Sequence, residues 1–463
     1  MTTQIVMAST LFAGACAAAA VDSGLLGTPD RRILLVVNSA PKPELTPALD
    51  EIPGARPVLA RFDRVEHLTE LVEPLHPHSW SLRAADQPMV RRLLRRAWGV
   101  DDDEVELVLE SVALPPASTL AQVFDDAPVT VLSDGLMTYG PTRTKVPLRT
   151  ARRVRGLVHL DLVAGLSPVL LSEHGVGTRT IPFDVARKVF TEIAAASTPV
   201  EAAVADVEAG TITPARTAVV VGQYLSALGL MSPTEEGKLY ARMVGEAADA
   251  GMARVVFKPH PSSPPGYVAA MRQVAQLRGV AIDVLRDDRP VEVLYVEQRP
   301  GLVLGCFSTA LLTAREIFGI PVRSVGTHRV LKRLAPWANS NRIPVAIMDA
   351  LTRPDTPYTT VERLQGLVDA LAYAMQPELV EHLRDRTAEV FADMPRSEMV
   401  RYHRRWRVQE LGLPWRAAPD RTATEPPPSP PPTAISRARR RLARLRRRIA
   451  VEPSGRRPAP PRT

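Results

Sequence analysis

Short, continuous apolar runs rich in β-branched residues recur along this chain between segments of helical character: "TQIVMAST", "RRILLVVNS", "PVTVLSD", "TAVVVGQ", "RVVFKP", "GLVLGC" and "IPVRSVG". A strand that is apolar on both faces must be covered on both, and chains that achieve this alternate parallel strands with helices. The pattern specifies an α/β protein. At 463 residues, 45% of them hydrophobic, the chain exceeds one ordinary core and has the material for two. The stretch "IAAASTPVEAAVADVEAGTITPAR" ends in a Gly, Thr and Pro cluster just before a new strand at Thr217, and marks the boundary. The expected organisation is two doubly wound Rossmann-like domains, residues 1–205 and 206–415, facing a cleft. Such a cleft is a usual place for a substrate.

Charge is distributed unevenly. Residues 418–463 carry twelve Arg against Asp420, Glu425 and Glu452, or +9 of the chain's net +8, so the rest of the chain carries −1 and has no global pull on polyanions. Within 416–463, "APDRTATEPPPSPPPTA" reads as an extended proline-rich linker. The following "ISRARRRLARLRRRIAV" sets Ala438, Leu442, Leu445 and Ile449 at helical spacing on a face walled by arginine. Three readings fit this tail: a disordered cationic segment with no fixed partner, a helix attached to anionic lipid, and a nucleic-acid contact. Nucleic acid ranks last, because the segment has no aromatics.

The first 21 residues lack charge, but they have no basic start and Asp22 closes the run short of a membrane span. They read as a buried strand and the helix that follows it, not as an export signal. Cys16 and Cys306 are the only cysteines, too few for a disulfide framework or a cysteine-rich zinc site, and point to a reducing cytosol. The expected localisation is cytoplasmic, with peripheral attachment to the inner membrane face through the tail as the alternative.

In open α/β sheets ligands collect at the carboxyl ends of the strands. Three polar motifs stand at such ends. In "VTVLSDGLMTYGP", Asp134 follows a strand and Gly135 is expected to let the chain turn, projecting the carboxylate into the crevice. In "RVVFKPHPSSPPGY", Pro259 and Pro261 stop the strand for want of a ladder donor and hold His260 at its end, where an imidazole can donate to an anionic leaving group. In "LVLGCFSTALLTAREIFG", a strand yields to Ser308, Thr309 and a helix start, whose unpaired N–H groups and dipole suit a phosphate. Ser308 equally suits an N-cap. Lys258, Gly222 and Gln223 are further cleft candidates. A base on one wall, and an acid with a phosphate site on the other, suits transfer of a group from a nucleotide to a hydroxyl, with no metal required.

The ordered set of an acidic-Gly motif, a His-Pro motif and a Ser-Ser/Thr motif resembles the bacterial sialyltransferases of GT-B fold, and most closely the α-2,8-polysialyltransferase-like family. "TQIVMASTLFAGACAAAAVDSG", "SDGLMTYGPTR", "GQYLS", "KPHP" and "CFSTALLTA" carry the resemblance over roughly residues 1 to 410. It implies a GT-B-like fold and inverting transfer of sialic acid from CMP-sialic acid to a glycan acceptor, without a metal or cofactor. It implies Asp134 as base, His260 as acid or phosphate ligand, and Ser308 and Thr309 as phosphate ligands. Where that family often has a second acid before the glycine, this chain has Ser133.

Two other functions compete: a capsule- or teichoic-acid-type transferase using a CDP-linked donor, and a non-catalytic scaffold on the same fold held at a membrane by its tail. A second His-Pro, His76–Pro77, follows no apolar run and reads as a turn or an acceptor-side loop. The lone G-x-G of "HGVGTR" is no dinucleotide fingerprint.

Overall fold

The structure, a computed structural model, describes residues 1–197, 214–260 and 265–415. The expected domain boundary, Pro261 and the tail from residue 416 onward lie outside the described residues. Met1–Trp415 forms one compact unit.

Seven parallel strands make the first sheet: β1 (Thr2–Ala8), β2 (Arg31–Val36), β3 (Arg64–His67), β4 (Glu104–Leu109), β5 (Val129–Ser133), β6 (Val154–Leu160) and β7 (Thr178–Ile181). Their order is β3-β2-β1-β4-β5-β6-β7. The second sheet has five parallel strands, β8 (Thr217–Val221), β9 (Arg254–Lys258), β10 (Ala281–Val284), β11 (Leu302–Gly305) and β12 (Val322–Ser324), in the order β10-β9-β8-β11-β12. Both sheets are doubly wound, so the expected α/β class is present. The seven apolar runs that signalled it are β1, β2, β5, β8, β9, β11 and β12.

The opening segment is a strand followed by a helix, Leu11–Asp22. Thr10 caps it, its hydroxyl accepting the Ala13 N–H at 3.1 Å. The alanines of this helix are buried without any apolar bulk, so the helix lies close on the sheet. A side chain larger than hydrogen at Gly14 would come within 3.3 Å of Val58.

Each sheet has one place where strand order reverses: between β1 and β4 in the first, and between β8 and β11 in the second. A crevice opens at the carboxyl ends of the strands there. Helices that pack on elements of both halves join the two sheets. Helix Phe183–Ala195 packs on Leu11–Asp22 and on Val291–Gln298, and helix Arg342–Thr352 packs on the turn Leu136–Tyr139. Gln365 accepts the Ser167 N–H at 2.7 Å, and Gln376 donates to the Arg143 carbonyl at 3.3 Å. The C-terminal helices thus return to the loops of the first sheet, on its carboxyl-end side. Among the described residues no helix is long and apolar enough to cross a membrane.

Candidate active site

On the first wall, β5 ends at Ser133 and delivers Asp134, half-buried, to the carboxyl end of the sheet. Ser133 points inward: its hydroxyl bonds that of Thr138 at 2.7 Å, and Thr138 donates to the Gly135 carbonyl at 2.6 Å. The residue that stands in for an acid therefore braces the Asp134–Gly135 turn from below. Burial pushes the Asp134 carboxyl above the usual range, which makes its carboxylate a stronger base than an exposed aspartate.

Gly135 was expected for a sharp turn, but its backbone is extended, with φ −142° and ψ −174°. Its smallness serves a close approach instead. A Cβ there would sit 3.1 Å from the Thr309 hydroxyl, which also accepts the Leu136 N–H at 3.4 Å. Asp134 and the Ser308–Thr309 motif, 174 and 175 residues apart in sequence, are thereby brought together across the cleft.

Glu110 stands one residue beyond β4, at the crevice where the first sheet reverses. Its carboxylate accepts the Ser9 N–H at 2.7 Å and the Ser9 hydroxyl at 2.8 Å, bridging the ends of β1 and β4. Burial and the charge of Asp134 push Glu110 up to about 7, against the Ser9 bonds. The sequence reading missed it, although a carboxylate directly after the apolar end of "EVELVLES" repeats the signal that singled out Asp134. Linkage gives a testable consequence. Glu110 is protonated in the fold at pH values where an unfolded glutamate is already charged, so its contribution to stability is lost as pH rises from the ordinary value of 4.5 through about 7. Glu110→Gln keeps an acceptor for Ser9 and removes that penalty. Its Tm is expected to exceed the wild-type value at pH 8 and to converge on it toward pH 5. A difference that does not grow with pH would refute the assignment.

On the second wall, His260 follows Pro259 at the end of β9, with its ring 4.2 Å from that of Tyr224. Burial pushes its imidazole down to about 4; Glu236 opposes and Lys258 adds to the shift. His260 is therefore a neutral imidazole near neutrality. Gly222 lets the end of β8 run against this segment, since a Cβ there would lie 2.8 Å from Pro259 Cα and 2.9 Å from His260 N. Lys258 donates to the Asp287 carbonyl, so its ammonium is turned toward the loop before helix Val291–Gln298.

Ser308 caps the helix Thr309–Leu312, its hydroxyl accepting the Ala310 N–H at 3.3 Å, and the chain continues as a π-turn over Thr313–Ile317. Such turns concentrate at functional sites. The widened turn presents the Thr313 hydroxyl to Glu292 at 2.6 Å. Glu292 is 3% exposed, and its carboxyl is raised by burial and, in lesser part, by the charge of Asp134, while Lys258 opposes. No spacing in the sequence signals Glu292, because only the fold brings its helix to the cleft. Gln223 has its carbonyl oxygen on the Cys306 and Phe307 N–H groups, at 3.1 and 2.9 Å.

On two doubly wound sheets the Asp134–Gly135 turn meets the helix start at Thr309, and the chain is a glycosyltransferase of sialyltransferase type. Residues 4–327 match the family model Alpha-2,8-polysialyltransferase (POLYST), and the chain belongs to that family. No curated protein matches the sequence. Among solved structures, a Photobacterium damselae sialyltransferase spanning the GT-B domain is similar at 11% identity, over 75% of this chain and 96% of its own, with a TM-score of 0.39. A Photobacterium 2,6-sialyltransferase in complex with CMP and lactose is similar at 11% identity over 74% of each chain, TM-score 0.39. The UDP-GlcNAc 2-epimerase of Methanocaldococcus jannaschii is similar at 10% identity, over 70% of this chain and 83% of its own, TM-score 0.40.

Proposed function

We propose that the protein transfers sialic acid from CMP-sialic acid to a glycan hydroxyl with inversion at the anomeric carbon. The observation that carries this reading is the contact of the Asp134–Gly135 turn with Thr309, which sets a basic carboxylate beside the start of a helix. Asp134 takes the proton of the acceptor hydroxyl as its oxygen attacks the anomeric carbon. The bond to the phosphate oxygen breaks, and CMP leaves with the electron pair. Charge gathers on the departing phosphate, where His260 and the helix start with Ser308 and Thr309 offset it. An anion beside a buried imidazole favours the protonated form, so the arriving donor reverses part of the downward shift of His260.

These groups supply both proton transfer and charge compensation, so the reaction runs without a metal. Incubation with CMP-sialic acid and an oligosialic acceptor is expected to release CMP and extend the acceptor, unchanged by EDTA. Intact donor together with no CMP binding would sink this reading. Preference for a CDP-linked donor would replace it with the capsule-type transferase. The outcome for the tail, residues 416–463, rests on vesicles: binding to anionic and not to neutral vesicles, lost on deleting the tail, assigns it a membrane surface.

A further inference from the structure

The chain solves the same problem twice. At the reversal point of the first sheet, Glu110 bridges the ends of β1 and β4 through Ser9. At the reversal point of the second, the side chain of Gln223 bridges the ends of β8 and β11. We infer that Gln223 is a positioning residue of the donor site: it holds the backbone of Cys306 and Phe307 in the course that delivers Ser308 and Thr309. This inference rests on the proposed donor reading.

The bonding is specific. One amide oxygen accepts two successive N–H groups, of Cys306 at 3.1 Å and Phe307 at 2.9 Å, which fixes the direction of the chain where it leaves β11. The backbone of Gln223 is itself held. Its N–H donates to the Tyr240 hydroxyl at 2.6 Å, and that hydroxyl bonds Glu236 at 2.8 Å. Glu236 is fully buried and gathers the rest of the segment, accepting the Leu225 N–H at 2.9 Å, the Ser226 N–H at 2.8 Å and the Tyr267 hydroxyl at 2.7 Å. Immediately before Gln223, Gly222 rests against Pro259 and His260. Residues 222–226, "GQYLS", therefore form a clamp with the His-Pro motif on one side and the Ser-Thr motif on the other. A buried carboxylate with this many donors is an anchor, because leaving any one of them unpaired costs more than the bond contributes. The spacing between His260 and Thr309, on which simultaneous contact with one phosphate depends, is set by this clamp.

Two variants separate positioning from direct contact with the donor. Gln223→Met keeps the length and removes the acceptor; Gln223→Glu keeps an acceptor oxygen and adds a negative charge. CMP affinity by calorimetry and donor KM in steady-state assays are expected to weaken in Gln223→Met by about 10- to 100-fold, the range for leaving buried N–H groups unpaired. The effect falls on KM more than on kcat, because donor and transition state use the same turn. Gln223→Glu is expected to lie between Gln223→Met and wild type. Amide exchange of a peptide covering 303–308 follows the same order. A Gln223→Glu variant weaker than Gln223→Met would overturn the inference in favour of direct donor contact, since the added charge would then face the phosphate. Both variants at wild-type affinity would overturn it as well. If Gln223→Met does not fold, Tyr240→Phe, which loses the hydroxyl that holds the Gln223 backbone, is expected to raise donor KM in the same sense, and an unchanged KM counts against the clamp. Failure of wild-type protein to bind CMP removes the donor reading and this inference with it, whereas wild-type binding with indifferent variants removes the inference alone.

Discussion

Asp134→Asn is expected to lower kcat for sialyl transfer by about a thousandfold, within the range for removal of a general base, while CMP binds as in the wild type. Asparagine has the shape of aspartate and cannot accept the proton of the acceptor hydroxyl. The turn beneath it is built from Ser133, Thr138 and the Gly135 carbonyl, none of which uses the Asp134 carboxylate, so the backbone has no reason to move. The substitution also removes a negative charge that raises Glu110 and Glu292. The variant is therefore expected to be at least as thermally stable as wild type at pH 8, which separates lost chemistry from lost structure. Retained turnover in Asp134→Asn, with its loss in Glu110→Gln instead, would move the base one strand over. Loss of CMP affinity in Asp134→Asn would place the carboxylate in donor binding.

Apart from β12, a three-residue edge strand set in the apolar context of "IPVRSVG", the strands legible in the sequence were those with buried cores. β3, β7 and β10 gave no such signal because they are short and lie at or next to a sheet edge, where "RVEH", "TRTI" and "AIDV" carry polar residues at exposed or half-buried positions. β4 was missed for a different reason: "EVELVL" is interrupted by glutamates at the end away from the crevice, although its last three residues are buried. The motifs at strand ends were legible because a proline or an acid directly after an apolar run has few structural uses. Their juxtaposition was not. That Gly135 meets Thr309, that Thr313 turns a hydroxyl toward Glu292, and that Gln223 spends its side chain on the backbone of β11 all depend on contacts between residues 21 to 174 positions apart. Gly135 is the instructive case, since the glycine is required by the neighbour opposite, Thr309, and not by the turn.

His260→Ala is expected to weaken CMP binding by about 10- to 100-fold, the range for losing a hydrogen bond to a charged group, and to lower kcat as well because that bond strengthens as the phosphate leaves. The protonation of His260 offers a signature that packing alone would not produce. Burial holds the imidazole of the CMP-free protein down at about 4, so at pH 6.5 it carries almost no proton charge. A bound phosphate dianion favours the charged form and raises that value, so CMP binding takes up a fraction of a proton. Below the raised value and above about 4, affinity relative to His260→Ala therefore increases as pH falls. Calorimetry at pH 6.5 in two buffers of different ionisation enthalpy measures this uptake as the difference between wild type and His260→Ala, which subtracts the titration of CMP itself. Wild type is expected to show uptake that His260→Ala lacks, and Tyr224→Ala, which exposes the ring by removing its aromatic neighbour, is expected to bring the imidazole of the CMP-free protein closer to its ordinary value and so reduce the uptake. Equal affinity and equal uptake in wild type and His260→Ala would show that the imidazole serves the fold, and the charge on the departing phosphate would then fall to the helix start and to Thr309 alone.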